Sequence, residues 1–200
     1  PRSGSPRVRR LSPDALLARA ESWGPLLDGL TFSGGEASLQ GDFRREAGAL
    51  VKARLGWTWL VDTHGGMPEA TFAALLEASD GFLFDLKAPT SALHQRLTGQ
   101  PLGQRLLHLH RAAEAGKLVE LRLLLVPDAT AEPEAFEALL AIAADLPGAF
   151  PVRLQPYRHH GVRGAGLAFP ELTADALIQC VDRASLVLGR NRVHTPATIQ

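Results

Sequence analysis

The sequence holds one cysteine, Cys180, in 200 residues. A single cysteine forms no internal disulfide, which excludes a disulfide scaffold. It cannot by itself hold a four-thiolate metal or iron–sulfur site. No charge predominates: Lys plus Arg total 21 and Asp plus Glu total 21, so the net charge is zero with His neutral. That balance argues against a general nucleic-acid binder. No apolar run approaches the ~18 residues of a membrane span. Arg7, Arg9 and Arg10 are not followed by the apolar stretch of a secretory signal, and residue 1 is Pro rather than Met. The expectation is a soluble cytoplasmic protein whose given sequence begins inside a longer one. Hydrophobic residues make up 46% and charged residues 21%, which excludes disorder and supports one domain over 1–200.

Short apolar runs alternate with longer amphipathic ones. Ser12-Pro13-Asp14 opens a helix, with Ser as cap and Pro at the first helical position. Strands are expected at Leu30 to Phe32, Trp57 to Val61, Gly81 to Leu86, Leu118 to Val126, Val152 to Tyr157 and Val193-His194. Helices are expected over 42 to 55, Pro68 to Ala78, 102 to 115, Pro133 to Asp145 and Thr173 to Leu188. Helix-length crossovers between strands make parallel neighbours and an α/β fold.

In such folds ligands bind beyond the C-terminal ends of the strands. The first strand is followed by Ser33-Gly34-Gly35-Glu36, the second by Asp62-Thr63-His64-Gly65, and the third ends in Asp85 and Lys87. Arg122 lies in the fourth, and Arg158, His159 and His160 follow the fifth. Each has a plain structural reading. The glycines suit a tight turn, Asp62 suits a helix cap, and Asp85 with Lys87 suits an ion pair on one strand face. His159-His160 is a poor metal site, since adjacent residues rarely converge on one ion. His108 and His110 suit a solvated helix face, Cys180 the core, and Trp57 and Trp59 packing.

Taken in order, these segments resemble one family. Thr31-Phe32-Ser33-Gly34-Gly35-Glu36 is similar to the GGE motif of radical S-adenosylmethionine (SAM) enzymes. Asp62-Thr63-His64-Gly65 resembles the D-T-N-G of glycyl-radical-enzyme activating proteins, the pyruvate formate-lyase activating type. Asp85-Leu86-Lys87 matches that family's D-L-K, and His94 to Gly99 its H-x-x-L-T-G. Glu120-Leu121-Arg122, Val126-Pro127 and Leu154-Gln155-Pro156-Tyr157 complete the order. His159 to Gly164 and Thr195-Pro196-Ala197 resemble the YjjW-type subgroup.

The resemblance implies a partial (β/α)6 barrel and an oxidoreductase reaction. A [4Fe-4S] cluster, fed by a low-potential donor such as a flavodoxin or ferredoxin, would cleave SAM. The resulting 5′-deoxyadenosyl radical would take a hydrogen atom from a backbone glycine of a partner glycyl radical enzyme. Gly34, Gly35 and Glu36 would meet the methionine amino end of SAM, and Asp85, Leu86 and Lys87 its ribose and carboxylate side. Arg122 would line the same cavity, and Arg158 or His159 would lie near adenine. Asp62, Thr63 and Asp85 would surround a small monovalent cation. The family's C-x-x-x-C-x-x-C and the strand before it have no counterpart in this sequence. The expectation is therefore an N-terminally truncated activating enzyme, inactive as these 200 residues alone. Two other readings stay open: a radical SAM enzyme acting on a small molecule, and a barrel remnant that binds SAM or a partner without turnover.

Overall fold

The computed structural model describes residues 9–34, 36–162 and 164–196. The Ser12 hydroxyl accepts from the Ala15 amide at 3.2 Å and starts α1 (Pro13–Glu21). Strand β1 (Gly29–Phe32) leads to α2 (Gly41–Leu55), which ends at Gly56 with φ of 70°. A side chain there would cost about 1–2 kcal/mol, which is why the position takes glycine. Then follow β2 (Thr58–Thr63), α3 (Glu69–Ala78), β3 (Gly81–Leu86), α4 (Ser91–Thr98) and α5 (Arg105–Glu114). The order closes with β4 (Leu118–Leu125), α6 (Pro133–Asp145), β5 (Val152–Pro156), α7 (Ala174–Leu188) and β6 (Val193–His194).

The strands hydrogen-bond in the order β1-β2-β3-β4-β5-β6. Pairing is parallel at β1–β2, β4–β5 and β5–β6, with Phe32 opposite Val61 and Arg122 opposite Arg153. This is the open parallel α/β arrangement that the resemblance implies. Among the described residues no helix is long and apolar enough to cross a membrane.

The chain forms two compact units. One holds the chain to Thr63 together with Met67–Phe82; the other holds His64–Gly66 and everything from Leu83 onward. In the first, Leu17 of α1 packs with Val51 of α2 and Trp57, while Phe72 and Phe82 stack at 5.5 Å. In the second, Leu121, Leu123, Leu125, Val152 and Leu154 are fully buried on adjacent strands, under Leu139 and Leu140 of α6. Continuous apolar runs of this kind suit a strand covered on both faces.

Four details depart from the sequence reading. Strand β2 runs through Asp62 and Thr63 rather than stopping before them. Helix α5 begins at Arg105, three residues after the expected start. Helix α4 was not expected as a helix, although Thr90 caps it by accepting from the Leu93 amide at 3.3 Å and Gly99 ends it at φ 71°. His108 does not lie on a solvated face. It is fully buried, and its Nδ1 donates to the carbonyl of Gly65 at 2.9 Å. A buried imidazole is tolerable here because that backbone acceptor satisfies it.

Candidate functional site

In the first unit the polar residues gather where β1 and β2 end. The Ser33 hydroxyl donates to Oδ2 of Asp62 at 2.8 Å, and the Thr63 hydroxyl donates to Oε1 of Glu36 at 2.7 Å. Asp62 and Thr63 are consecutive on a strand and so lie on opposite faces; Thr63 is on the buried side. The capping role for Asp62 is not observed: it lies in β2, and Pro68 precedes α3. Gly34 has φ of 96°, the left-handed region that favours glycine. Gly35 lies outside the described residues. Behind this rim, buried Arg44 of α2 lies 5.9 Å from the Phe32 ring centroid. Burial pulls its guanidinium below the usual value, and the charge of Glu36 opposes that shift.

In the second unit a chain of charges crosses the β3 and β4 ends. Lys87 Nζ is 3.5 Å from Oδ2 of Asp85, and Nη1 of Arg122 is 3.8 Å from its Oδ1. Arg122 Nε donates to Oε1 of Glu120 at 2.6 Å, and Arg153 Nη2 donates to Oε2 at 2.7 Å. Burial pushes the Glu120 carboxyl up, but the hydrogen bonds from Arg153 and Arg122 outweigh it, so the net shift is downward. Glu120 is therefore ionised between its two arginines. Arg122 and Arg153 face each other in register on parallel strands; like charges so placed repel, and Glu120 neutralises them. Sequence reasoning singled out Arg122 but missed Arg153. The signal was available in the alternation of Glu120 and Arg122 on one strand face.

Arg158 and His159 follow β5 and are held by the loop that reaches Leu172. The Arg158 guanidinium donates to the carbonyls of Leu172 and Tyr157. The His159 amide donates to Glu171 at 2.6 Å, and Nε2 donates to the Phe169 carbonyl at 2.8 Å. Tyr157 closes the loop by donating to Gly166 at 2.7 Å.

Neither rim offers thiolates. Cys180 is the only cysteine of the sequence and is buried in α7. Among the described residues no group of three or more His, Cys, Asp and Glu side chains is arranged to hold a metal ion. These residues do not fit an iron–sulfur cluster, which draws on several thiolates.

Three comparisons bear on the family. The chain is 30% identical over 166 residues to the pyruvate formate-lyase-activating enzyme of Listeria monocytogenes, covering 78% of this chain and 66% of that protein. It is 29% identical over 135 residues to the pyruvate formate-lyase 1-activating enzyme of Escherichia coli, covering 66% of this chain and 54% of that protein. The chain thus spans about two thirds and about half of these relatives' lengths. Its fold matches a domain of the pyruvate-formate lyase-activating enzyme from Bacteroides vulgatus with a TM-score of 0.68 at 22% identity, over 86% of this chain and all of that one. It also matches Streptococcus suis SuiB bound to S-adenosylmethionine, with a TM-score of 0.70 at 12% identity, over 96% of this chain and 44% of that one. The model of the radical SAM superfamily matches residues 1–140. With homology to pyruvate formate-lyase activating enzymes along most of its length, the chain belongs to the radical SAM superfamily.

Proposed function

We propose that the chain is the SAM-binding and substrate-facing part of a glycyl-radical-enzyme activating enzyme, working on a backbone glycine of a partner enzyme. The observation that carries this reading is the similarity to the Listeria activating enzyme, 30% identity over 166 residues and 78% of this chain. In this reading Gly34, Gly35 and Glu36 hold the ammonium end of SAM, a carboxylate being the natural acceptor for it. Asp85, Leu86 and Lys87 serve the ribose and carboxylate, and Arg122 is oriented toward Asp85 by Glu120. Arg158 or His159 serves the adenine, and Asp62, Thr63 and Asp85 a monovalent cation.

Radical SAM chemistry uses a [4Fe-4S] cluster and a low-potential donor. In this reading the cluster thiolates come from outside these 200 residues, since the chain has one cysteine, and no step through the cluster is assigned to the residues described. Their work is to bind SAM, to orient it and to keep water from the reacting centre.

The test uses the full gene product, anaerobically, with SAM, a chemical reductant and candidate glycyl radical enzymes. The expected result is a glycyl radical doublet on the partner by electron paramagnetic resonance, followed by backbone cleavage at that glycine on exposure to oxygen. Cleavage of SAM with no such signal on any partner overturns the activating role and favours a small-molecule substrate.

A further inference from the structure

Five charged side chains of the second unit alternate in sign across neighbouring strands: Lys87 and Asp85 at the β3 end, Arg122 and Glu120 on β4, and Arg153 on β5. Glu120 and Arg122 are two apart on one strand and share a face. Arg153 lies in register with Arg122. The way the Glu120 carboxylate is divided between the two arginines sets where the Arg122 guanidinium points.

Oε2 of Glu120 takes both donors of Arg153, Nε at 2.9 Å and Nη2 at 2.7 Å. Oε1 takes only the Nε of Arg122, at 2.6 Å. A carboxylate and a guanidinium otherwise favour two parallel bonds, one to each oxygen. Arg153 fills the second oxygen, so that fork does not form with Arg122. Held at Nε, the Arg122 guanidinium extends Nη1 to 3.8 Å from Oδ1 of Asp85. With Oε2 vacated, Glu120 would draw a second nitrogen of Arg122 and turn the guanidinium away from Asp85.

We propose that Arg153 is a positioning residue for SAM binding: by occupying Oε2 of Glu120 it limits Arg122 to the bond with Oε1 and keeps that guanidinium turned to Asp85. Arg153 acts through Glu120 and Arg122, a chain of contacts that runs from β5 to the β3 end. The proposal rests on the reading that Arg122 lines the SAM cavity, and it is independent of which partner the enzyme activates. The Arg153 side chain is 34% exposed, so shortening it leaves no sealed void and the variants should fold.

The test is a double-substitution cycle on the full gene product, read as SAM affinity by anaerobic calorimetry. Arg122→Gln should weaken SAM binding about tenfold or more, the scale of losing a charged contact. Arg153→Gln should weaken it about three- to tenfold, the range of couplings within one ion-pair network. In the Arg122→Gln background, Arg153→Gln should change the affinity by less than about twofold. A general loss of packing would instead weaken binding equally in both backgrounds. Arg153→Lys keeps the charge but not the paired donors; it should fall between wild type and Arg153→Gln, and it carries the cycle if thermal melts show Arg153→Gln unfolded. Arg183→Gln, which breaks the exposed pair with Glu137, should leave the affinity unchanged. Wild-type affinity in every folded Arg153 variant, or an equal loss in both backgrounds, overturns the proposal and leaves Arg122 in the SAM cavity. Wild-type affinity of Arg122→Gln overturns that placement and the proposal with it.

Discussion

Arg153 reaches one oxygen of Glu120 with two donors: Nε lies 2.9 Å and Nη2 2.7 Å from Oε2. The other oxygen, Oε1, takes Arg122 at 2.6 Å. One buried carboxylate therefore holds two in-register arginines. Removing its charge leaves both cations facing each other. Glu120→Gln should cost roughly 2–4 kcal/mol, somewhat less than the ~3–5 kcal/mol for breaking a fully buried pair, because both arginines keep part of their contact with solvent. Denaturant unfolding of the two chains measures it. A loss below about 0.5 kcal/mol would mean that solvent replaces Glu120 at this position.

The same carboxylate sets an acid dependence. Burial raises its proton affinity, but the hydrogen bonds from Arg153 and Arg122 lower it further than burial raises it. The unfolded state then binds the proton more readily than the folded state does. The stabilisation is complete above the ordinary carboxylate range and is lost as pH falls through the lowered folded value. Stability measured from neutral pH downward should fall more steeply in the wild type than in Glu120→Gln. Parallel profiles for the two proteins would remove Glu120 as the group responsible.

Gly48 lies inside α2, where alanine ordinarily gains about 1 kcal/mol over glycine. Here the sign should reverse. A Cβ at Gly48 would lie 2.5 Å from two indole carbons of Trp59, and Trp59 is buried at 1% exposure. Overpacking of this kind costs about 1–3 kcal/mol, which exceeds the helical gain. Gly48→Ala should therefore lower the melting temperature, and a raised one would show that the indole can shift.

Gly65 combines two demands. Its φ is 70°, and an added Cβ would overlap the ring of Phe84, which is fully buried. Its carbonyl also receives His108. Gly65→Ala should destabilise by about 2 kcal/mol or more, from left-handed strain together with the clash. His108→Phe should cost about 1–3 kcal/mol, because it removes the buried hydrogen bond from the imidazole to that carbonyl. Calorimetric melts of both variants decide the matter. A His108→Phe variant as stable as wild type would make the histidine dispensable.

Much of this was legible from the chain. Pro133 to Asp145 and Val193-His194 sit where periodicity and proline placed them, because strong local signals coincide with burial. The sequence also marked Ser33, Glu36, Asp62, Asp85 and Arg122, because they lie in or just after successive strands, near the ends where ligands bind in such folds. Pairing was not legible. That Thr63 donates to Glu36 and Ser33 to Asp62 depends on the β1–β2 register. His108 was misread for the same reason: two histidines two apart on a helix look like a polar face, and the acceptor that makes burial tolerable comes from Gly65, 43 residues away. Helix α4 was passed over because its residues also read as a motif, although Thr90 and Gly99 are good helix ends.

Cys180 is the only thiol, and its surroundings in α7 decide its reactivity. It is buried at 8% exposure, and burial pushes the thiol up from its usual value. Nucleophilicity and metal binding both need the thiolate, which this position disfavours. In the native chain a disulfide reagent should label Cys180 slowly, at a rate set by opening of α7, whereas in denaturant labelling should be immediate. The same argument extends to iron. Anaerobic reconstitution of these 200 residues with iron and sulfide should leave no stable stoichiometric [4Fe-4S] cluster, since one buried thiol supplies too few ligands. Iron analysis and the visible absorption spectrum check this directly. About four irons per chain with a cluster spectrum, lost on Cys180→Ala, would show that α7 opens and that the buried thiol is a ligand after all.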